Sequence, residues 1–277
     1  MRSLRARIET LLLERVLRRP FVFEDSRGLR YVLYPDENAA AYLDNRGNYE
    51  VAETRLCERL LQPGDVAVDV GANIGLYTLL FSQLVGPEGS VHAFEPAPAN
   101  ARRLRVNLLL NDAENVEAHQ AAVFSRAGAQ TLNLFDPRLG AWHSLGRPEL
   151  PDPFEGGKLL APTDTVEVDA VTLDGYAETA GLERIALLKI DVEGAEPDVI
   201  SGAAGLLRQR AVDAILFEVS LPQAESLGHD PSEPFAQLEE LGYRSRRIEP
   251  DGLPGDPVSR ADDRYANYVA FPAGSDA

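Results

Sequence analysis

Residues 186–196 read ALLKIDVEGAE, a stretch that places charged side chains within an apolar run that predicts a buried β-strand. Lys189, Asp191 and Glu193 occupy alternate positions, so an extended chain would carry all three on one face. Because an isolated buried ion is costly, such groups are normally paired, hydrated or engaged in chemistry. A carboxylate in such a position can act as a general base or as a metal ligand. The structural alternative is an ion network in which Lys189 pairs with Asp191 or Glu193.

A second stretch, DVGANIG, lies between a predicted strand and a predicted helix and has the form of a ligand-binding turn. Gly71 permits a tight turn and a close approach of a ligand, and Asn73 tolerates a left-handed conformation. Glu95 ends the next predicted strand, where a carboxylate can accept hydrogen bonds from both hydroxyls of a ribose. This order of elements predicts nucleoside binding. For Glu95, a solvated strand end or a helix cap is the structural alternative.

Strands and helices alternate from about residue 52 onward, which predicts an α/β fold with a mostly parallel sheet and helices on both faces. Ligands bind such sheets beyond the carboxyl ends of the strands, where both charged stretches lie. Residues 1–49 are predicted to form an extension of one amphipathic helix and a β-hairpin, and residues 50–277 the main domain. The helix is expected to pack on the main domain or on the second subunit of a homodimer, with binding at a membrane surface as the alternative.

Composition narrows the range of partners. The 277-residue chain has a net charge of −17, which argues against nucleic acid as the main partner. A single cysteine, Cys57, excludes an internal disulfide and makes a cytoplasmic location the default expectation. Its helical surroundings predict that Cys57 is a core residue, and no apolar run is long enough for a transmembrane segment.

Six blocks of the sequence together resemble the FkbM family of S-adenosylmethionine-dependent methyltransferases; they are VDVGANIGLYT, HAFEP, NLLLN, VTLDGY, LLKIDVEGAEPDVISGA and ILFEV. The resemblance covers about residues 50–245. It implies a class I methyltransferase (Rossmann-like) fold of seven strands, with the last strand antiparallel. It also implies O-methylation of a hydroxyl group on a small molecule or sugar, with S-adenosylmethionine as the cofactor.

The resemblance also implies roles for individual residues. The cofactor site would comprise the loop, the ribose ligand with its neighbour and a contact to adenine: Asp69, Gly71, Ala72, Asn73, Gly75, Glu95, Pro96 and Ala122. The acceptor pocket would be built partly from residues 1–49 and 136–164.

Methylation of an alcohol requires loss of its proton, so Asp191 and Glu193 are predicted to be catalytic, together with Lys189. Glu218, which ends ILFEV, is a candidate to join them from the neighbouring strand. General base catalysis and a divalent metal ion both remain open as the means of removing the proton, although no metal ligand is assigned.

Separate predictions apply to the four histidines and the single tryptophan. His143 and His229 lie in predicted loops that could cover the acceptor, although a surface histidine is the commoner case, and Trp142 is either a substrate contact or a packing residue. His92 and His119 are predicted to pack within strands. Two other functions stay open, a nucleotide-cofactor oxidoreductase and a non-catalytic nucleoside-binding module. The spacing of DVGANIG differs from the G-x-G-x-x-G of dinucleotide-binding folds, which argues against the oxidoreductase.

Overall fold

The computed structural model describes residues 20–34, 49–136, 143–146, 150–151, 159–261 and 263–275. The predicted helix within residues 1–19 and the side chain of Trp142 lie outside these ranges. None of the helices in the described ranges combines the length and the apolar character that a bilayer crossing requires.

The main sheet has eight strands, with β5, β4, β3, β11, β12, β15, β13 and β14 following one another in space. Five neighbouring strands are parallel. The last strand, β15, runs antiparallel to both of its neighbours, as expected. The strands of this sheet are β3 (Val66–Val70), β4 (Ser90–Phe94), β5 (Val116–His119), β11 (Ile185–Ile190), β12 (Val212–Ser220), β13 (Tyr243–Ile248), β14 (Pro254–Pro257) and β15 (Tyr265–Pro272).

The family resemblance implied seven strands, and β14 is the eighth. It pairs antiparallel with β13 at the edge of the sheet, after a turn at Gly252. Its sequence, PGDP, has no apolar alternation from which a strand could be recognised. The central topological feature is the pair β3 and β11, because the chain order reverses there and a crevice opens between their carboxyl ends.

Eight helices lie in the described ranges, and they pack against the sheet through apolar side chains. They are α1 (Val51–Leu60), α2 (Leu76–Val85), α3 (Pro98–Leu110), α4 (Leu173–Ala180), α5 (Glu196–Gly202), α6 (Ala204–Arg208), α7 (Leu221–Leu227) and α8 (Glu233–Glu240). Cys57 is fully buried in α1, as predicted. Two helices were not predicted, α4 and α7. The first begins at a Thr172 cap whose hydroxyl accepts a hydrogen bond from Gly175 N, a local signal that the sequence does contain.

A smaller sheet corrects one predicted strand. The sequence VEAHQAAV (116–123) by itself predicts a single strand, but the chain bends at Ala121 and continues as β6 (Ala122–Val123) in another sheet. There it pairs with β10 (Asp164–Val171), which also pairs with β7 (Gly128–Leu134). The bend lets backbone groups of β6 bond to β10 instead of extending the edge of the main sheet. A two-residue pair, β8 (Leu150–Pro151) with β9 (Leu159–Leu160), completes the strands.

The predicted β-hairpin is present as β1 (Phe21–Glu24) and β2 (Arg30–Leu33), and it is fastened to α3 by two asparagines. Asn107 is fully buried; its carbonyl oxygen accepts a hydrogen bond from Val32 N at 2.8 Å, and its amide donates to Ile74 O at 2.8 Å. Asn111 makes the corresponding pair of bonds to the backbone of Arg30. These are the two asparagines of the NLLLN block, so this block holds the hairpin on the main domain.

We expect Asn107→Ala to lower the free energy of unfolding by about 2–4 kcal/mol, because it leaves a backbone N–H and a backbone C=O without their partners. Chemical denaturation measures the change. Leu109→Ala is the matched control on the same helix, since Leu109 is 79% exposed, and its effect should stay within about 0.5 kcal/mol. Equal stability of the Asn107 variant and the parent would contradict the anchoring role.

Candidate functional site

A cavity of about 230 Å³ opens at the carboxyl ends of β3, β4 and β11, and it collects most of the residues that the sequence singled out. The small sheet contributes Ala122, Val123 and Leu132 to its wall. All of the predicted cofactor residues except Gly75 line it, and so do the three predicted catalytic residues. Its polar lining comprises Tyr49, Asp69, Asn73, Tyr77, Glu95, Asn100, His143, Lys189, Asp191, Glu193, Glu218, Gln223 and Tyr265.

The DVGANIG turn has the backbone conformation that its residue types predict. Gly71, Asn73 and Gly75 have φ angles of +83°, +50° and +95°, and asparagine tolerates this left-handed region better than most residues. A Cβ atom on Gly71 would lie 1.7 Å from the backbone oxygen of Asp191. The glycine is therefore required by the close approach of the two loops that border the cavity. Gly75 serves as the N-cap of α2 and lies behind the cavity wall.

Glu95 is buried. One of its carboxylate oxygens accepts a hydrogen bond from Asn73 N and the other accepts one from Ala97 N, each at 2.8 Å. It is therefore not a solvated strand end. Burial raises the pKa of Glu95 to about 7, although its two backbone hydrogen bonds act in the opposite direction. Each oxygen keeps a further lone pair, and Glu95 and Pro96 both line the cavity, so a ligand with two adjacent hydroxyls can still be bound.

Lys189 is buried between two carboxylates. Its Nζ lies 2.9 Å from Asp191 Oδ2 and 3.9 Å from Asp69 Oδ1, and 4.7 Å from the centre of the Tyr77 ring. Burial alone would lower the pKa of Lys189, but Asp191 and Asp69 raise it above its ordinary value. The pairing of Lys189 with Asp191 that the sequence left as an alternative is therefore present, and it lies in the wall of the cavity.

The chain does not remain extended through Glu193, which corrects the alternation argument. Strand β11 ends at Ile190, and the next residues form a turn in which Glu193 and Gly194 have φ angles of +54° and +100°. The buried Glu196 accepts hydrogen bonds from Val192 N at 3.3 Å and from Gly194 N at 3.1 Å. This turn, rather than strand periodicity, directs Glu193 toward the cavity.

Asp191, Glu193 and Glu218 form an acidic cluster, with one oxygen from each lying within 4.8 Å of the others. Glu193 accepts a hydrogen bond from Gln223 Nε2 at 2.8 Å. Burial, together with the charges of Asp191 and Glu193, raises the pKa of Glu218 well above its ordinary value. The cluster can accept a proton or bind a cation, which are the two chemical roles that the sequence left open.

Two buried acceptor atoms in the cavity wall lack hydrogen-bond partners, Asp69 Oδ1 and Asn73 Oδ1. The other oxygen of Asp69 accepts the Thr78 hydroxyl at 2.5 Å. Buried polar groups are normally satisfied, so these two atoms are acceptors that a donor in or beside the cavity could still reach. The Lys189 ammonium lies 3.9 Å from Asp69 Oδ1.

Of the two histidines predicted to lie in loops over the acceptor, one lines the cavity and the other does not. His143 lines the cavity, where burial lowers its pKa to about 4, and its Nδ1 accepts Phe135 N at 3.2 Å. His229 does not reach the cavity, because it is held between Asp198 and Glu233 at 3.0 Å from each. Sequence reasoning missed five residues that line the cavity: Tyr49, Tyr77, Asn100, Gln223 and Tyr265. Tyr77 lies within the VDVGANIGLYT block but was given no role, and the other four lie outside the six blocks.

Comparison with known protein families gives a match to the methyltransferase FkbM domain over residues 69–245. This range includes the DVGANIG turn, Glu95 and the acidic cluster. It extends from the end of β3 into β13, so it covers most of the main sheet.

Three relatives illustrate the likeness. Methyltransferase 1 of Beauveria bassiana is 34% identical over 49% of this chain and 57% of its own length. The 31-O-demethyl-FK506 methyltransferase FkbM of Streptomyces tacrolimicus is 34% identical over 51% of this chain and 60% of its own length. The 2-O-methyltransferase NoeI of Sinorhizobium fredii is 30% identical over 62% of this chain and 74% of its own length. The chain thus spans less than two thirds of the first two relatives.

Glu50 gives a test of the electrostatics around the cavity, because it accepts the hydroxyl of Tyr77 and is itself poorly hydrated. Burial raises its pKa from 4.5 to about 7 in the folded protein. The folded state therefore binds more protons than the unfolded state between these two values, and the parent loses stability as the pH rises through this window. In Glu50→Gln, which keeps the acceptor for Tyr77, we expect this loss to be smaller by on the order of 1–3 kcal/mol. Denaturation at a series of pH values checks this, and identical profiles for parent and variant would contradict it.

Proposed function

This chain belongs to the FkbM methyltransferase family, and from that premise we propose that it transfers a methyl group from S-adenosylmethionine to a hydroxyl oxygen of a small molecule or sugar. The observation that carries the proposal is the common cavity of Glu95, the DVGANIG turn and the acidic cluster. The residues proposed to bind a nucleoside and the carboxyl groups proposed to take up a proton thus line one cavity. Two relatives support oxygen as the acceptor atom, since their names describe O-methyltransferases.

The residues present fit the proposed cofactor. Glu95 would accept the ribose hydroxyls, Gly71 and Ala72 would allow the ligand close to the backbone, and Ala122 would contact adenine through its backbone and methyl group. The two acceptors without hydrogen-bond partners, Asp69 Oδ1 and Asn73 Oδ1, are proposed to face an ammonium group of the cofactor.

Charge supports the same assignment. Five carboxyl groups and one lysine line the described part of the cavity: Asp69, Glu95, Asp191, Glu193 and Glu218 with Lys189. When bound, S-adenosylmethionine supplies an electrophilic methyl group on a cationic sulfonium. A cavity with this excess of acidic groups favours a cation over an anionic dinucleotide.

The acidic cluster would prepare the acceptor for reaction. Its carboxylates are proposed to bind the acceptor hydroxyl and take up its proton as the oxygen attacks the methyl group. Glu218 lies within 4.8 Å of Asp191 and Glu193 and is proposed to share the released proton with them. Lys189 is proposed to fix the position of Asp191 through the 2.9 Å ion pair. Glu193, held by Gln223, would complete the group that orients the hydroxyl.

The two other functions are less well supported. For an oxidoreductase, the acidic lining is unfavourable to the pyrophosphate of a dinucleotide, and the turn lacks the G-x-G-x-x-G spacing. A binding module without catalysis would have no need of three carboxyl groups within 4.8 Å of one another in the cavity, because their mutual repulsion is costly. A thermal shift with a nicotinamide dinucleotide would support the oxidoreductase. Absence of cofactor turnover with any acceptor would support the binding module.

Glu95→Gln should weaken the binding of S-adenosylhomocysteine by about tenfold to a hundredfold, because hydrogen bonds to a charged acceptor are lost. Isothermal titration calorimetry measures the affinity. Glu196→Gln is the matched control: Glu196 is likewise buried and accepts two backbone N–H groups, but it does not line the cavity. The affinity of the Glu196→Gln variant for S-adenosylhomocysteine should stay within about threefold of the parent's. Equal weakening in both variants would mean that loop distortion, and not a ribose contact, is responsible.

Asp191→Asn should lower the turnover number by roughly a hundredfold or more, because shape is kept while a carboxylate of the cluster is lost. The melting temperature and the affinity for S-adenosylhomocysteine should change little. EDTA treatment of the parent then separates the two means of proton removal, since retained activity indicates a general base and lost activity a metal ion. If Asp191→Asn unfolds the protein and the folded remainder keeps normal specific activity, the cluster is structural and the proposed mechanism is wrong.

A further inference from the structure

A second cluster of titratable side chains lies away from the acidic cluster, on one face of the main sheet near its β5 edge. His92 of β4 is paired in register with Glu117 of β5, and His119 follows two positions later on the same face. Tyr176 of α4 covers this face. None of these four residues has a place in the proposed methyl transfer, and none lines the cavity.

The four side chains direct their polar atoms toward one point. The Tyr176 hydroxyl lies 2.8 Å from His92 Nδ1 and 2.7 Å from His119 Nε2. The Glu117 carboxylate oxygen Oε2 lies 3.9 Å from the same His92 nitrogen and 3.8 Å from the same His119 nitrogen. The two imidazole nitrogens and a carboxylate oxygen all fall within 4.8 Å of one another. The set is thus two nitrogens and two oxygens gathered from two strands and a helix.

The imidazoles are oriented for ligation before any ion binds. Ser90 Oγ lies 3.3 Å from His92 Nε2, which leaves Nδ1 of that ring facing the cluster. The His119 ring is stacked on Phe94 at a centroid distance of 4.9 Å. The Glu117 side chain is 65% exposed, so the site has a route to solvent.

We propose that His92, Glu117, His119 and Tyr176 form a binding site for a divalent transition-metal ion of the zinc class. A tetrahedral ion with ligand bonds of about 2.0–2.2 Å separates its ligands by about 3.3 Å. The distances from the Tyr176 and Glu117 oxygens to the two ring nitrogens are 2.7–3.9 Å, so each must change by up to about 0.6 Å to reach this value. Imidazole nitrogens favour zinc over the magnesium that an all-oxygen site such as the acidic cluster would take.

The position of the site implies a structural effect on the cofactor cavity. Phe94 lines that cavity, and its ring contacts both His119 and Tyr176, the second at a centroid distance of 4.8 Å. An ion bound by ligands of β4, β5 and α4 would hold these three elements together behind the cavity wall. It would also replace the bridge that the Tyr176 hydroxyl forms between the two rings in its absence.

The test uses the full chain, freed of metal and titrated with Zn²⁺ by calorimetry and with Co²⁺ by visible absorption, both in excess Mg²⁺ to occupy all-oxygen sites. We expect one equivalent of Zn²⁺ to bind, a raised melting temperature, and the intense visible bands of four-coordinate Co²⁺. Glu117→Gln, at an exposed position that tolerates substitution, should weaken Zn²⁺ binding by more than about tenfold. His119→Asn should abolish the Co²⁺ bands.

Asp191→Asn is the control, because it alters the other group of candidate ligands in the described residues and should leave Zn²⁺ affinity unchanged. Absence of Zn²⁺ binding by the parent would overturn the proposal and leave a hydrogen-bonded network of Tyr176 and two neutral histidines. Binding that survives His119→Asn, or that is lost in Asp191→Asn, would also overturn it. Because no acceptor or cofactor is used, these outcomes are independent of the proposed methyl transfer.

Discussion

The geometry of the cavity depends on the ion pairs of Lys189, a buried residue of β11 that faces Asp69 of β3. Lys189 is the direct cross-strand neighbour of Asp69, and it also pairs with Asp191 one step beyond the strand end. Removing its charge would leave two carboxylates in a poorly hydrated crevice, a situation that costs several kcal/mol. The lysine therefore makes it possible for acidic groups to gather at the topological switch point. The aromatic face of Tyr77 adds a further favourable contact for the cation.

Close backbone approach is the second constraint, and it explains why glycine occurs where the two loops meet. The backbone oxygen of Asp191 occupies the space that a side chain on Gly71 would need, and Gly194 is similarly confined by the backbone of Gln223. As a result, the loop after β3 and the loop after β11 are held in contact. The groups proposed to bind the cofactor and those proposed to activate the acceptor consequently border one cavity.

The two loops also use the same device for fixing a turn with a buried glutamate. Glu95 accepts two backbone N–H groups beside the first loop, and Glu196 accepts two within the second. Burial raises the pKa of each to about 7. Only Glu95 faces the cavity, so the two carboxyl groups, alike in their hydrogen bonding, differ in whether a ligand can reach them.

The sequence by itself determined whatever depends on neighbours along the chain. It predicted the alternating strands and helices and the position of Glu95 at a strand end. It allowed a left-handed Asn73 and gave the pairing of Lys189 with an acidic neighbour as the alternative to a catalytic role. Tertiary structure decided what depends on residues far apart. The left-handed turn at Glu193 is held by Glu196 and Gln223. Tyr49 and Tyr265, which are far apart in the sequence, both line the cavity. The Tyr176 hydroxyl joins His92 and His119. The physical reason is that periodicity and turn propensity are local, whereas a cavity or a ligand cluster forms only when packing brings separate elements to one point.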